Sequence, residues 1–148
     1  MNDTILNAIV TLLKTLAIFQ NSDGSSRVYD FPEHEPTYTG GFPYAYVVYT
    51  KTESSYQDSQ MDKVNYTYQI RVLQEKLADN FGSQKAEQTT RQREYEICSL
   101  FRQNNSLNRT AGVIRTMPMN VIKGFDEQNT RITLDINLVV QTMEQITF

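Results

Sequence analysis

The sequence has one histidine and one cysteine in 148 residues, so side-chain chemistry has little to build on. His34 lies in Phe31-Pro32-Glu33-His34-Glu35-Pro36. Glu33, His34 and Glu35 are ligand-type side chains, but neighbours one residue apart do not readily converge on one ion. No second His or Cys is near in sequence, so a solvated loop is expected there rather than a metal site. A Ser-His-Asp arrangement would have to use His34, and no Gly-x-Ser-x-Gly elbow is present to support it. Neither a Gly-x-x-x-x-Gly-Lys-Ser/Thr loop nor a Gly-x-Gly-x-x-Gly turn occurs, so no phosphate cradle is expected. Cys98 falls mid-helix beside an apolar stripe and reads as a small buried hydrophobe rather than a nucleophile. The acids Glu53, Asp58 and Asp62 fit no cation-binding loop and read as a solvated hairpin tip. No catalytic residue, cofactor or metal site is expected.

The bulk properties agree. A formal net charge of -3 gives no global field to attract nucleic acid, and sequence-specific nucleic-acid binding is not expected. One cysteine excludes an intramolecular disulfide and fits a reducing cytoplasm. The chain starts Met-Asn-Asp-Thr without a basic leader, and Lys14 interrupts the first apolar run. Neither a signal peptide nor a membrane span is expected. Tyrosine occurs 9 times and tryptophan never, which suits half-buried strands and surfaces that are wet in one state and covered in another.

The elements follow from periodicity. Ile5, Leu6, Ile9, Leu12, Leu13 and Leu16 share one face of a helix over 3–17, with Asp3 or Thr4 to cap it. Residues 20–27 read as an exposed turn, 28–31 as a short edge strand, and the Pro/Gly-rich stretch from Phe31 to Pro43 as an ordered but irregular connector. Aromatic and β-branched residues predict a strand over 42–50, followed by a polar loop over 51–62. From 64 to 77, Tyr66, Tyr68, Ile70 and Val72 alternate with Asn65, Thr67, Gln69 and Arg71, the pattern of a strand with one dry and one wet face. A charged helix is predicted over 84–104, with Ala86, Thr90, Ile97 and Phe101 along its inner face. Glu87–Arg91 and Arg93–Glu96 are its expected surface pairs. A strand over 113–124 must be an edge or carry a bulge, because Pro118 cannot donate to a ladder. A last strand over 130–141 turns Ile132, Leu134, Ile136, Leu138 and Val140 inward and Arg131, Thr133, Asp135, Asn137 and Val139 outward. The expected fold is a single α+β domain over 1–148: a four-stranded, mostly antiparallel sheet with two helices on one face and the other face polar and uncovered.

That order of elements, with Gly40-Gly41-Phe42-Pro43-Tyr44-Ala45-Tyr46-Val47 leading into the first long strand and Tyr66-Thr67-Tyr68-Gln69-Ile70-Arg71-Val72 in the second, resembles the tail terminator and tail-completion proteins of long-tailed bacteriophages. The resemblance covers nearly the whole chain and is one of pattern and size. It implies a non-enzymatic virion subunit, made in the host cytoplasm, that forms a ring of about six copies at the head-proximal end of the tail tube. Such a ring ends tube polymerisation and offers a surface to the head connector. Its partners would be further copies of itself, the tail tube protein and the head–tail connector protein, with no membrane. On exposure and charge, the helix over 84–104 is expected to supply one interface through Arg91, Arg93, Glu94 and Arg102. The 51–62 loop is expected to dock on the tube through Glu53, Tyr56, Asp58 and Asp62. Two other readings stand beside this one. A head-completion or neck subunit would carry more lumenal Lys and Arg than a net -3 chain suggests. A small enzyme or ligand-binding domain would have to rely on His34 with Glu33 and Glu35.

Overall fold

The computed structural model of the chain describes residues 2–32, 40–56, 61–76, 83–125 and 131–145. Helix α1 (Asn2–Leu13) buries Ile5, Ile9, Val10, Leu12 and Leu13, the stripe that the apolar spacing predicts. A short 3-10 turn over Ala17–Phe19 follows and plants Phe19 in the core. The next loop is less free than its sequence suggests. Arg27 donates from Nε to the Pro43 carbonyl at 2.9 Å and from Nη2 to the Ile18 carbonyl at 2.8 Å, and also reaches Asn21 Oδ1. One guanidinium thus fastens the loop to the start of the sheet, using the fork geometry that suits arginine to several acceptors.

The sheet has five strands in the order β1-β2-β3-β5-β4. Strand β1 (Val28–Tyr29) is parallel to β2 (Tyr44–Tyr56) and covers only Ala45 and Tyr46 of it. Strands β3 (Met61–Lys76), β4 (Val113–Phe125) and β5 (Arg131–Gln145) complete an otherwise antiparallel set. The expected short edge strand is therefore real and makes a fifth member, where four were anticipated. Helix α2 (Ser83–Gln103) joins β3 to β4. Strand β4 is the edge that Pro118 requires, with register shifts between Val113 and Arg115 and between Pro118 and Asn120.

Both helices lie on one face. Ala45, Val47, Tyr68, Ile70, Val72, Leu134, Ile136 and Leu138 meet Ile9, Leu13, Ile97 and Phe101 there in one core. The turn after α2 is unusual: Leu107, Asn108 and Arg109 have φ of 50°, 56° and 63°. Three consecutive left-handed residues are unfavourable for L-amino acids. Leu107 anchors the turn by burying its side chain completely, and the Thr110 amide donates to the Ser106 carbonyl at 3.0 Å.

Two expectations about the far face need correction. Arg131 and Thr133 were expected outward and wet, yet both are buried. Residues flanking the connector fold an aromatic group over that end of the sheet: Tyr44 is packed by Tyr29 and Phe42, and the Arg131 guanidinium lies 3.7 Å from the Phe42 ring centroid. Arg131 also donates to the Gln74 carbonyl at 3.1 Å. Thr133 sits against Gly124, where an added Cβ would come within 3.3 Å of its hydroxyl oxygen. Elsewhere on that face Thr67, Gln69 and Arg71 of β3 and Asp135 and Asn137 of β5 stay half-exposed, while Gln141 is buried.

The two faces of β5 predict different costs for the same loss of volume. Ile136→Ala, on the dry face, is expected to destabilise the protein by about 2–5 kcal/mol. Val139→Ala, on the half-exposed face, is expected to cost less than about 1 kcal/mol. Urea denaturation of the two variants checks the assignment, and equal costs would contradict it.

Candidate assembly surfaces

Helix α2 presents a clear division. Ala86, Thr90, Arg93, Ile97 and Phe101 recur at intervals of four and three and are all buried. Arg93 stands in the middle of that stripe. It donates to both Glu75 carboxylate oxygens, at 2.7 and 2.9 Å, and to Gln74 Oε1 at 2.8 Å. Gln74 in turn donates to Thr90 Oγ1 at 3.0 Å, and Thr90 donates to the Ala86 carbonyl at 2.7 Å. The network ties the helix to the end of β3. Burial raises the Glu75 carboxyl, but the bond to Arg93, its own backbone amide and the charges of Arg93 and Arg27 outweigh that and hold it below the ordinary 4.5.

Arg93 was expected on an exposed interface; it is instead an internal strut. The spacing 86-90-93-97-101 carries the signal for this, and charge alone hides it. The expected partners along the helix also change. Glu87 receives Lys123 of β4 at 2.6 Å rather than Arg91, and Glu96 accepts from Gln92 at 3.1 Å rather than from Arg93. Arg91 and Arg102 are exposed and Glu94 is half-exposed, so these three remain on the outer side. Tyr95, at 66% exposure, stands among them and was not singled out by the sequence reading. Cys98 is buried, and burial pushes its thiol up.

The polar stretch after residue 50 is not a loop. Strand β2 continues to Tyr56 and pairs with β3 through Lys51↔Thr67, Glu53↔Asn65 and Tyr56↔Asp62. Strand β5 follows β3 along this extension to Met61↔Gln145. Polar side chains are no obstacle, because strands with wet faces need only their backbone ladder satisfied. Lys51, Thr52, Glu53 and Ser54 are all exposed. Glu53 is held below the usual carboxylate range by its hydrogen bond and ion pair with Lys51, at 2.7 Å. Tyr66 marks the dry base of this ribbon. It donates to Glu144 at 2.8 Å, and burial followed by that carboxylate pushes its hydroxyl up to about 12. Asp62 is half-exposed. Asp58 lies outside the described residues, as do Glu33, His34 and Glu35; Tyr56 is placed by its pairing with Asp62.

The face away from the helices carries polar rungs that cross several strands. Arg71 donates to Asp135 from Nε at 2.8 Å and from Nη2 at 3.2 Å. Nearer the ribbon, Gln141 Nε2 donates to Asn65 Oδ1 at 3.2 Å. At the β4 edge, Ile114, Met119, Ile122 and Phe125 are exposed, with Met119 at 59% and Ile122 at 58%. No group of three His, Cys, Asp or Glu able to hold a metal occurs among the described residues. No described helix is long and apolar enough to cross a membrane.

No family model matches this chain, and no curated protein matches it either. Among solved structures, the fold is similar to that of a chain in the virion of a native gene transfer agent particle, with a TM-score of 0.62 over 95% of each chain. Identity to that chain is 12%, so the likeness is one of fold.

The inward and outward sides of α2 predict opposite outcomes. Arg93→Ala is expected to cost roughly 2–4 kcal/mol, because it strands a half-buried carboxylate that still reaches some water. Arg91→Glu is expected to stay within about 0.5 kcal/mol. Thermal melting checks both. The depressed Glu75 carboxyl contributes stability that is complete above its unfolded value near 4.5 and is lost as pH falls through its lower folded value. Glu75→Gln is therefore expected to melt earlier at neutral pH and to show a shallower loss between about pH 5 and pH 3 than the parent chain.

Proposed function

We propose that this chain is a structural, non-enzymatic subunit of a phage-like virion. Its specific role is that of a tail terminator: a ring of about six copies on the head-proximal end of the tail tube. The single observation that supports this best is the end-to-end likeness in fold to a gene transfer agent virion chain, 95% of each chain being covered. The surfaces fit the role. Among the described residues the sheet is left with open edges and a half-exposed polar face, and the outer side of α2 offers Arg91, Glu94, Tyr95 and Arg102 to a neighbour. In this reading the far end of the β2–β3 ribbon, where Asp62 pairs with Tyr56, meets the tube, and the outer side of α2 meets the head connector. The ring stops tube growth by occupying the terminal tube surface and offering a different one in its place.

The test is native mass and negative-stain imaging of the purified chain, alone and with tail tubes. Closed rings, or caps confined to one end of each tube, are expected. A particle that binds isolated portal or neck assemblies and ignores tubes would replace the terminator role with a neck role. A monomer that binds neither would overturn the reading.

A further inference from the structure

The pairing register places the two open edges of the sheet in a specific relation. Strand β1 pairs with the outer edge of β2 at Ala45 and Tyr46, and among the described residues no strand pairs with that edge from Val47 onward. On the other side, Pro118 cannot donate a backbone hydrogen bond and the ladder shifts there; ahead of it, over 113–117, β4 pairs only with β5 among the described residues, with one further shift between Val113 and Arg115. These open halves lie at the same height. Ser54 is level with Val64, Thr142 and Val113; Glu53 with Asn65, Gln141 and Arg115; Thr52 with Tyr66, Val140 and Thr116. One rung therefore runs Glu53, Asn65, Gln141, Arg115 across four strands, on the face away from the helices. It has an exposed carboxylate at one end and an exposed guanidinium at the other.

The other end of the sheet matches too. Ile122 is level with Asp135, Arg71 and Tyr46, and Tyr46 is paired with Tyr29 of β1. At this height one edge exposes Ile122 at 58%, and the opposite edge carries Tyr29 with Phe31 beside it at 50% exposure. Charge thus faces charge, and apolar surface faces apolar surface, once copies are set side by side.

Direction is also compatible. Three antiparallel steps separate β2 from β4, so the two edges run in opposite senses. A rotation about an axis along the strands keeps those senses, so β4 of one copy meets β2 of the next antiparallel. This is a head-to-tail contact of two different patches, the kind that closes into a ring. We infer that copies of this chain join edge to edge, β4 residues 113–117 pairing with β2 residues 51–54 of the next copy, Arg115 meeting Glu53, and Ile122 lying beside Tyr29 and Phe31. The inference rests on the ring reading above and deepens it. It makes Glu53 part of the seam between copies, where it exchanges some of its contact with Lys51 for Arg115, and leaves the outer side of α2 free for other proteins. The bulge at Pro118–Asn120 is level with Tyr49 and Val48, just ahead of the height of Ile122 and Tyr46 at which the neighbour's β1 intervenes and the edge has to step outward.

The test uses the full chain, in solution or on tail tubes. Arg115→Glu and Glu53→Arg, each alone, should raise the concentration for half-assembly by about tenfold, and the double exchange should restore it. A second measurement uses Glu53→Cys/Arg115→Cys in a Cys98→Ala background with a short bismaleimide. Within one copy the two positions are three strand spacings apart, roughly 14 Å, so a very short linker joins neighbours and not one chain to itself. A ladder from dimer upward is expected, while two single-cysteine variants mixed together should stop at dimer. Rings that form normally in both charge variants, without cross-links, would overturn the seam and leave the ring reading standing. If no variant and no parent chain assembles under any condition, the ring reading fails and the seam falls with it.

Discussion

The β3–β5 ladder is the constraint on which the rest of this structure depends. It runs antiparallel from Met61↔Gln145 to Lys76↔Arg131, and away from the covered end at Arg131 and Thr133 it separates a dry face from a wetter one. A shift of one residue would turn Ile70, Val72, Leu134 and Ile136 into water and bring Arg71 and Asp135 into the core. Burial of one face therefore fixes the register. The register in turn decides where β2 and β4 lie, which rungs are level, and which side the helices must cover. The helices add the second half of the core but do not set its geometry.

Regular alternation made this frame legible in the sequence. Tyr66, Tyr68, Ile70 and Val72, and Ile132 through Val140, alternate strictly, so the dry faces of both central strands could be read directly. Pro118 announced an edge strand because its missing N–H has one simple consequence. The misread residues are those where a tertiary partner overrides residue type. Arg93 is charged, and charge suggests exposure; Glu75 and Gln74, which make it an internal residue, lie 18 and 19 positions away. Arg131 is buried because Phe42 folds beneath it, a contact across the sheet that no local pattern encodes. The stretch after Thr50 was read as a loop because it is polar, yet polarity reports wet faces and not the absence of a ladder.

The candidate assembly surfaces were legible in outline only. Exposure and charge brought Arg91, Glu94 and Arg102 forward, and the structure leaves those on the outer side of α2. Glu53 was picked for its expected exposure and its charge. Its alignment with Arg115 at the far edge needs the registers of three successive strand pairs, and that information is not local to either residue. Open edges are a hazard in a monomer, since unpaired backbone groups invite association. A subunit whose edges are completed by its own copies turns the same property into assembly.

Hydrogen–deuterium exchange of the assembled protein, compared with the monomer, tests the edge-completed ring most directly. The amides of 113–117 and 51–54 are expected to gain protection together on assembly, because each edge supplies what the other lacks. Protection confined to the outer side of α2, with both edges exchanging as fast as in the monomer, would contradict it.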